Sequence, residues 1–208
     1  MKVLFPFVGD SVGGSHISTI ELYKGLQEQG IHATILLHSN HKNLSNLLND
    51  HEIPFVLLPI KSLAGEVPNI LTIFFSIIKN FRVLYFFIKN NNFDIVHGND
   101  LRINLTWSLP VKLSGAKFIW HQRVLLSSSI WWKLIPFLSN CFIAISSCVL
   151  DSAKNINMHV EKKLLIYNPF NISLIEDNSS SRNWLEDELD LPNNSILIGY
   201  LGRIKPYK

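Results

Sequence analysis

Residues 3–16, VLFPFVGDSVGGSH, decide the fold that we predict for this chain of 208 residues. The apolar run Val3–Val8 has the length of a buried strand, and a Gly-rich turn leads from it directly into the helical pattern Ser15–Gln29. Further apolar runs predict strands at Ala33–Leu37, Pro54–Leu58, Asp94–Val96, Lys117–Trp120, Phe142–Ile145 and Leu164–Ile166. Helical segments such as Ile70–Asn90 and Asn104–Ser114 alternate with these strands. The alternation predicts an α/β fold with a doubly wound, mostly parallel, Rossmann-like sheet.

Composition limits the classes of protein to which the chain can belong. Hydrophobic residues make up 47% of it and charged residues 17%, which excludes a mainly disordered chain. The net charge of +3, without any run of Lys and Arg, argues against nucleic acid and suits an anionic small molecule or an anionic membrane surface. Cys141 and Cys148 have neither zinc nor disulfide spacing, so we expect a reducing, cytoplasmic compartment.

The distribution of polar residues predicts the domain organisation. A first domain covers residues 1–177, and the polar stretch 178–195, with a short helix near Trp184–Leu189, has the character of a linker. The apolar run Ile196–Leu201 then predicts the first strand of a second domain, residues 196–208, which we expect to be truncated.

The turn after the first predicted strand contains the first candidate binding residues, Gly13, Gly14 and Ser15. Paired glycines let a ligand approach the backbone, and a helix N-terminus offers N–H groups with partial positive charge. The spacing is neither G-x-G-x-x-G nor that of a P-loop, which excludes both nucleotide fingerprints. A tight turn without any ligand explains the same residues, so the sequence leaves both interpretations open.

Two histidines follow predicted strands, His97 after Val96 and His121 after Trp120. Polar residues come next in each case: Asn99 and Asp100, then Gln122 and Arg123. The carboxyl ends of parallel strands share one edge of the sheet, so we expect these side chains to gather where ligands bind in such folds, although a lone histidine is more often structural. The remaining histidines lack metal-ligand spacing, and we predict no metal.

The segment 70–88 is apolar, but Lys79 and Arg82 interrupt it, so we predict no transmembrane helix. Phe75, Phe86 and Phe87 intrude on its polar half, which is typical of a helix lying on anionic lipid. Trp131-Trp132-Lys133 offers a second anchor. Plain core packing of the helix explains the same pattern, and the sequence does not separate the two.

Several motifs, in this order, carry a resemblance to a known family. They are Gly13–His16 with the helix and strand up to Thr34, Asp94–His97, Phe142–Ser146, Ile166–Phe170, and the end of the chain from Gly199 to Lys208. Together they resemble the retaining GT-B glycosyltransferases of glycosyltransferase family 4. The chain departs from the family pattern at His16, Asn99 and Pro169, where an acidic residue, a second histidine and a glycine are usual.

The resemblance implies an acceptor-binding domain at residues 1–177 and, from residue 196 on, a domain that binds a nucleotide-sugar donor without a metal or another cofactor. The implied reaction is transfer of a sugar, with retention, to a glycan or lipid-linked acceptor in polysaccharide or lipopolysaccharide biosynthesis. This is an activity of the hexosyltransferase type at the cytoplasmic side of a membrane. The fragment alone is expected to be inactive.

The resemblance also implies residue roles. Gly13 and Gly14 would approach the donor phosphate or the acceptor, His121 would contact the transferred sugar, and Arg203 with Lys208 would clamp the diphosphate. The other predicted substrate-binding residues are Ser15, His97, Asn99, Asp100, Arg123, Ser146 and Asn168. Two alternatives stay open: a non-catalytic acceptor-binding subunit of a split glycosyltransferase, and a protein resembling nucleotide-sugar 2-epimerases.

Overall fold

The computed structural model describes residues 1–40, 42–60, 70–126, 131–154, 162–169, 179–192 and 196–199. The chain divides into two compact units, residues 1–169 and residues 170–208. The first unit contains the sheet and the candidate site. In the second unit the described part contains one helix, Ser179–Glu188, and residues 196–199 of the predicted strand Ile196–Leu201 are not in a strand. Arg203 and Lys208 lie outside the described residues.

One sheet of seven strands, all parallel, organises the first unit, which confirms the predicted α/β fold. The strands are β1 (Lys2–Phe7), β2 (His32–Leu37), β3 (Phe55–Leu57), β4 (Ile95–Gly98), β5 (Lys117–Gln122), β6 (Cys141–Ala144) and β7 (Lys162–Leu165). Their order is β3-β2-β1-β4-β5-β6-β7. The order therefore reverses between β1 and β4, the kind of position at which ligands bind in open α/β sheets.

Helices alternate with the strands along the chain. They are α1 (Gly14–Glu28), α2 (Lys42–Asp50), α3 (Ile70–Asn91), α4 (Leu101–Ser114), α5 (Trp131–Leu138) and α6 (Ser147–Ser152), with α7 (Ser179–Glu188) in the second unit. α4 begins three residues before the predicted start at Asn104 because the Asp100 carboxylate accepts a hydrogen bond from the Arg102 N–H at 2.8 Å. It ends at Ser114 and is capped by Gly115, whose φ of 86° is the left-handed conformation that favours glycine.

Two hydrophobic clusters form the core, and alternate residues of β1 contribute to different clusters. Leu4 joins the cluster that contains Leu84 of α3 and Trp107 of α4, whereas Phe5 joins the cluster that contains Ile20 of α1. Successive strand residues point to opposite faces, so the sheet carries one cluster on each face. This layering is that of a doubly wound fold.

The structure corrects three details of the predicted strands. His97 and His121 do not follow β4 and β5 but belong to them, because the pairing continues through His97 with Ile119 and through His121 with Ile143. The third correction concerns β7: the strand predicted at Leu164–Ile166 covers Lys162–Leu165, and all of its residues are exposed although apolar runs are typical of buried strands. Within the described residues β7 pairs only with β6 and forms an edge of the sheet.

Candidate functional site

A cleft of about 390 Å³ opens at the carboxyl edge of the sheet, where the strand order reverses. It lies between the start of α1, the start of α4 and the residues that follow β5. The lining residues are Gly14, Ser15, Asn99, Asp100, Leu101, Asn104, Gln122, Arg123, Val124, Ile145 and Asn168. A second cavity, of about 400 Å³, lies at the opposite edge beside Asp94 and Lys117, where β4 and β5 begin. Ligands of such sheets bind beyond the carboxyl ends of the strands, which favours the first cavity as the site.

The loop between β1 and α1 is tied to α4 by a network of charges. The Arg102 guanidinium on the first turn of α4 donates to both carboxylate oxygens of Asp10, and its Nη2–Asp10 Oδ1 distance is 3.2 Å. Arg102 Nε also donates to Asp100 Oδ1 at 3.3 Å. The hydrogen bond from Arg102 is the largest cause that lowers the pKa of Asp10, and Asp10 in turn raises that of Arg102. The network joins the loop after β1, at Asp10, to the first turn of α4.

The start of α1 is an open N-terminus. The Gly13 N–H donates to His16 Nδ1 at 3.0 Å, and the His16 ring contacts Phe7 with ring centroids 4.6 Å apart. Burial is the largest cause that lowers the pKa of His16. A Cβ added at Gly13 or Gly14 would meet nothing within 4 Å, and neither residue has a positive φ. The packing and backbone of the described residues therefore do not require glycine at either position.

Arg123 is held by two amide side chains. Asn99 Oδ1 accepts hydrogen bonds from Arg123 Nε at 3.1 Å and from Nη2 at 2.9 Å, and Asn168 Oδ1 accepts one from Nη1 at 2.9 Å. Burial lowers the pKa of Arg123 to about 10, so the side chain stays protonated at neutral pH. The guanidinium is thus a fixed positive charge in the wall of the cleft.

Asn104 is a lining residue that the sequence did not reveal as a site residue. Its side chain is only 1% exposed, and neither Oδ1 nor Nδ2 has a hydrogen-bond partner among the described residues. The amide lies against Gly98 of β4, where an added Cβ would come within 2.2 Å of Asn104 Oδ1. Buried amides are nearly always paired, so this orphan group indicates a place where a ligand or water completes the bonding. The sequence did offer one signal: Asn104 comes one helical turn after Asp100, the residue that caps α4, and residues four apart lie on the same face of a helix.

His97 and His121 form a buried pair beneath this edge. His97 Nε2 lies 3.1 Å from His121 Nδ1, and the ring centroids are 5.2 Å apart. Burial is the largest cause that lowers the pKa of both histidines, and the nearby charge of Arg123 acts in the same direction. Both rings are therefore neutral at physiological pH. His121 Nε2 is buried without a partner among the described residues.

The structure brings half of the predicted site residues together in the cleft: Gly14, Ser15, Asn99, Asp100, Arg123 and Asn168. Four others do not line it: Gly13, His97, His121 and Ser146. The Ser146 hydroxyl instead caps α6 by accepting from the Val149 N–H at 3.3 Å. Among the side chains that the structure describes, no three His, Cys, Asp or Glu residues form a group suited to a metal ion. The described helices include none that is long and apolar enough to cross a membrane.

The fold is shared with solved GT-B structures. The UDP-glucose complex of HepE from Anabaena is 20% identical, with a TM-score of 0.67, over 93% of this chain and 51% of that one. The lipopolysaccharide outer core galactosyltransferase WaaB is 18% identical, with a TM-score of 0.58, over 86% of this chain and 50% of WaaB. A putative UDP-N-acetylglucosamine 2-epimerase from Listeria monocytogenes is 12% identical, with a TM-score of 0.53, over 73% of this chain and 40% of the epimerase.

This chain thus spans about half the length of the GT-B glycosyltransferases that it matches. No family model and no curated protein sequence matches it. At these identities the likeness shows the fold, which is that of one half of a GT-B protein.

Proposed function

We propose that this chain is the acceptor-binding half of a retaining glycosyltransferase that moves a sugar from a nucleotide-sugar donor to a glycan or lipid-linked acceptor. The observation that carries the proposal is the cleft at the reversal of strand order, which has Gly14, with open space beside its backbone, on one side and the fixed charge of Arg123 on the other. The solved complex of a structural neighbour with UDP-glucose supports a nucleotide-sugar donor. The neighbour WaaB supports a pathway of lipopolysaccharide or polysaccharide assembly.

The glycines support the proposal because nothing inside the described structure demands them. A Cβ added at Gly13 or Gly14 would meet nothing within 4 Å, so the backbone at both positions is open to a ligand that approaches it closely. The N–H groups at the start of α1 favour negative charge. When a nucleotide diphosphate departs, its negative charge grows, and donors that are already oriented stabilise the transition state more than the ground state.

His121 is the side chain that we propose to contact the transferred sugar. Its Nε2 has no partner among the described residues, and its neutral ring keeps one nitrogen as a donor and the other as an acceptor. His97 Nε2 contacts the other nitrogen of His121, so the two rings must take complementary tautomers. Arg203 and Lys208, as the proposed diphosphate ligands, would act from outside the described residues. No step of this proposal uses a metal.

An anionic membrane surface is the partner that we propose for α3. Phe75 is 65% exposed and Phe86 51%, and the helix contains Lys79, Arg82 and Lys89 but no acidic residue. Aromatic side chains beside cations suit a helix at the lipid headgroups. This partner fits a lipid-linked acceptor at the cytoplasmic face.

An epimerase acting on a nucleotide sugar is the second candidate, because an epimerase shares the fold. The longest polypeptide that the reading frame encodes should therefore be incubated with a panel of nucleotide sugars, with and without lipid-linked acceptors. Mass spectrometry of the products separates the candidates. Sugar added to an acceptor supports the transferase, an isomerised nucleotide sugar without acceptor supports the epimerase, and neither product overturns both.

A further inference from the structure

Arg123 brings positive charge to the cleft without a carboxylate beside it. Its described partners are the amide oxygens of Asn99 and Asn168, and it takes part in no ion pair within the described parts of the chain. Amide oxygens orient a guanidinium but leave its charge uncompensated. Asp100, the carboxylate that also lines the cleft, accepts from the Arg102 N–H and side chain instead. A guanidinium has more N–H donors than these contacts use, and its fork matches a carboxylate or phosphate.

The unpaired amide of Asn104 requires a ligand group of a different kind. Its Oδ1 only accepts and its Nδ2 only donates, and both are buried in the wall of the cleft without a described partner. Carboxylate and phosphate oxygens accept but do not donate, so an anion alone leaves Oδ1 unsatisfied. A hydroxyl group both donates and accepts. The amide of Asn104 therefore suits hydroxyl groups of a sugar.

From these two side chains we infer that the cleft binds an acceptor sugar that carries a negative charge, either a sugar acid or a sugar phosphate. Arg123 holds the carboxylate or phosphate, and Asn104 holds a hydroxyl group. The first residues of α1, Gly14 and Ser15, line the same cleft, and a helix N-terminus adds N–H groups that favour the anion, whereas the start of α4 is already capped by the Asp100 carboxylate. The cleft volume of about 390 Å³ is in the range of small-molecule sites. The inference rests on the proposed function because it takes the ligand to be the acceptor.

The test measures binding without turnover. The longest polypeptide of the reading frame is titrated by calorimetry with glucuronate, glucose 6-phosphate, glucose and UDP. We expect one or both anionic sugars to bind at least about 10-fold more tightly than glucose. The preferred anion identifies the source of the charge, carboxylate or phosphate. Equal binding of glucose and both anionic sugars, or no binding of any sugar, overturns the inference.

Two variants assign the roles. Arg123→Gln should remove the preference for the anionic sugar and leave the affinity for glucose unchanged. Arg123→Lys keeps the positive charge but loses the paired N–H donors of the guanidinium, so it should retain part of the preference for the anionic sugar. Asn104→Leu should weaken glucose and anionic sugars alike by about 10-fold. Lys112→Gln, which removes an exposed charge from the last turn of α4, is the matched control and should change nothing.

Two outcomes separate this inference from the proposed function. If UDP binds with the same dependence on Arg123 and Asn104, the cleft holds the donor and the acceptor inference is wrong. If the transferase assay gives product only with a neutral acceptor, the proposed function stands and the inference fails. Far-ultraviolet circular dichroism of each variant tests whether the fold is retained. A loss of binding is then attributed to the substituted side chain only when the variant is folded.

Discussion

His97 Nε2 and His121 Nδ1 lie 3.1 Å apart, across the neighbouring parallel strands β4 and β5. One ring must donate to the other, because two neutral imidazoles in contact share a single proton along that line. Burial disfavours the charged form of both rings. The two rings therefore take complementary tautomers, and His121 Nε2 is the atom left for a further partner.

If the proposed transferase uses His121 to contact the reacting sugar, we expect His121→Ala to lower its kcat by at least ~100-fold, because removal of a polar group that acts in the transition state costs that much. The product assay with donor and acceptor measures it. His32→Ala, at an exposed position at the start of β2, is the matched control. Turnover near that of the unchanged protein would remove His121 from the proposed site.

The stability of the protein should fall on acidification. Burial is the largest cause that lowers the pKa of His38 from 6.5 to about 4. The charge of Arg102 acts in the same direction and that of Asp100 in the opposite one. His38 Nε2 also accepts a hydrogen bond from Trp107 Nε1 at 3.0 Å. Below pH 6.5 the unfolded chain binds a proton that native His38 does not bind until about pH 4. For each such histidine, the free energy of unfolding therefore falls by up to about 1.4 kcal/mol per pH unit as the pH decreases through this window. Above the window the histidine does not change the free energy of unfolding.

His38→Gln should reduce this pH slope, measured by urea unfolding between pH 7 and pH 4.5 at about half-unit steps. Gln retains an acceptor for the Trp107 N–H but does not titrate. His32→Gln serves as the exposed control and should leave the slope as it is. A slope that does not change in His38→Gln contradicts the buried, neutral state of His38.

The ion pair between Asp10 and Arg102 should couple the Gly-Gly turn to α4. A double-mutant cycle with Asp10→Asn and Arg102→Gln should give a coupling energy of about 0.5–1 kcal/mol, since both side chains are about one-third exposed. The coupling should weaken in about 1 M salt, where charges are screened. Urea unfolding of the four proteins measures both values, and strictly additive effects would show that the pair does not act.

The unpaired state of the Asn104 amide should be detectable in the free energy of unfolding as well as in sugar binding. A buried amide without partners costs about 1–3 kcal/mol, so Asn104→Leu should leave the free energy of unfolding unchanged or raise it while sugar binding falls. Gly98→Ala should destabilise by about 1–3 kcal/mol, because the new Cβ meets Asn104 Oδ1 and the Phe118 ring. Combining Gly98→Ala with Asn104→Ala removes the closer clash and should recover part of the loss. A large loss in Asn104→Leu alone would mean that the amide is already satisfied.

The sequence predicted the sheet well because strand formation depends on local patterns. The apolar runs Val3–Val8 and Lys117–Trp120 identify β1 and β5 to within two residues at each end. It placed His97 and His121 beyond their strands because polar residues read as strand ends, whereas the register of the pairing extends both strands. Such register depends on neighbours distant in the chain.

The candidate site was less accessible to sequence reasoning. The rule that ligands bind at the carboxyl edge of a parallel sheet predicted Asn99, Asp100 and Arg123 as site residues, and the cleft contains all three. Asn104 was missed because a polar residue inside a helix usually faces solvent, and only the tertiary structure shows that this one is buried beside Gly98. Ser146 was predicted to bind substrate, and in the structure its hydroxyl accepts the hydrogen bond that caps α6.

The exposed face of α3 combines aromatic side chains with cations, as membrane-binding helices do. Phe75, Ile78, Lys79, Arg82 and Phe86 follow the spacing of one helical face, and all five are exposed. The anchor predicted at Trp131–Lys133 has its side chains outside the described part of the structure. We expect the protein to co-sediment with vesicles rich in phosphatidylglycerol and to stay in the supernatant with phosphatidylcholine alone, because the cations need anionic headgroups.

Two variants of α3 separate the apolar from the electrostatic contribution. Phe86→Ser should weaken vesicle binding by about 10-fold or more, since burying a Phe side chain contributes about 1.5–3 kcal/mol. Lys79→Gln with Arg82→Gln should weaken it by about 30-fold, at about 1 kcal/mol per cation near the surface. Leu113→Ser and Lys112→Gln, at exposed positions of α4, match these changes and should have no effect. If binding ignores lipid charge, or if the α4 variants weaken it equally, then α3 is not a membrane-binding helix and its exposed aromatic residues need another partner.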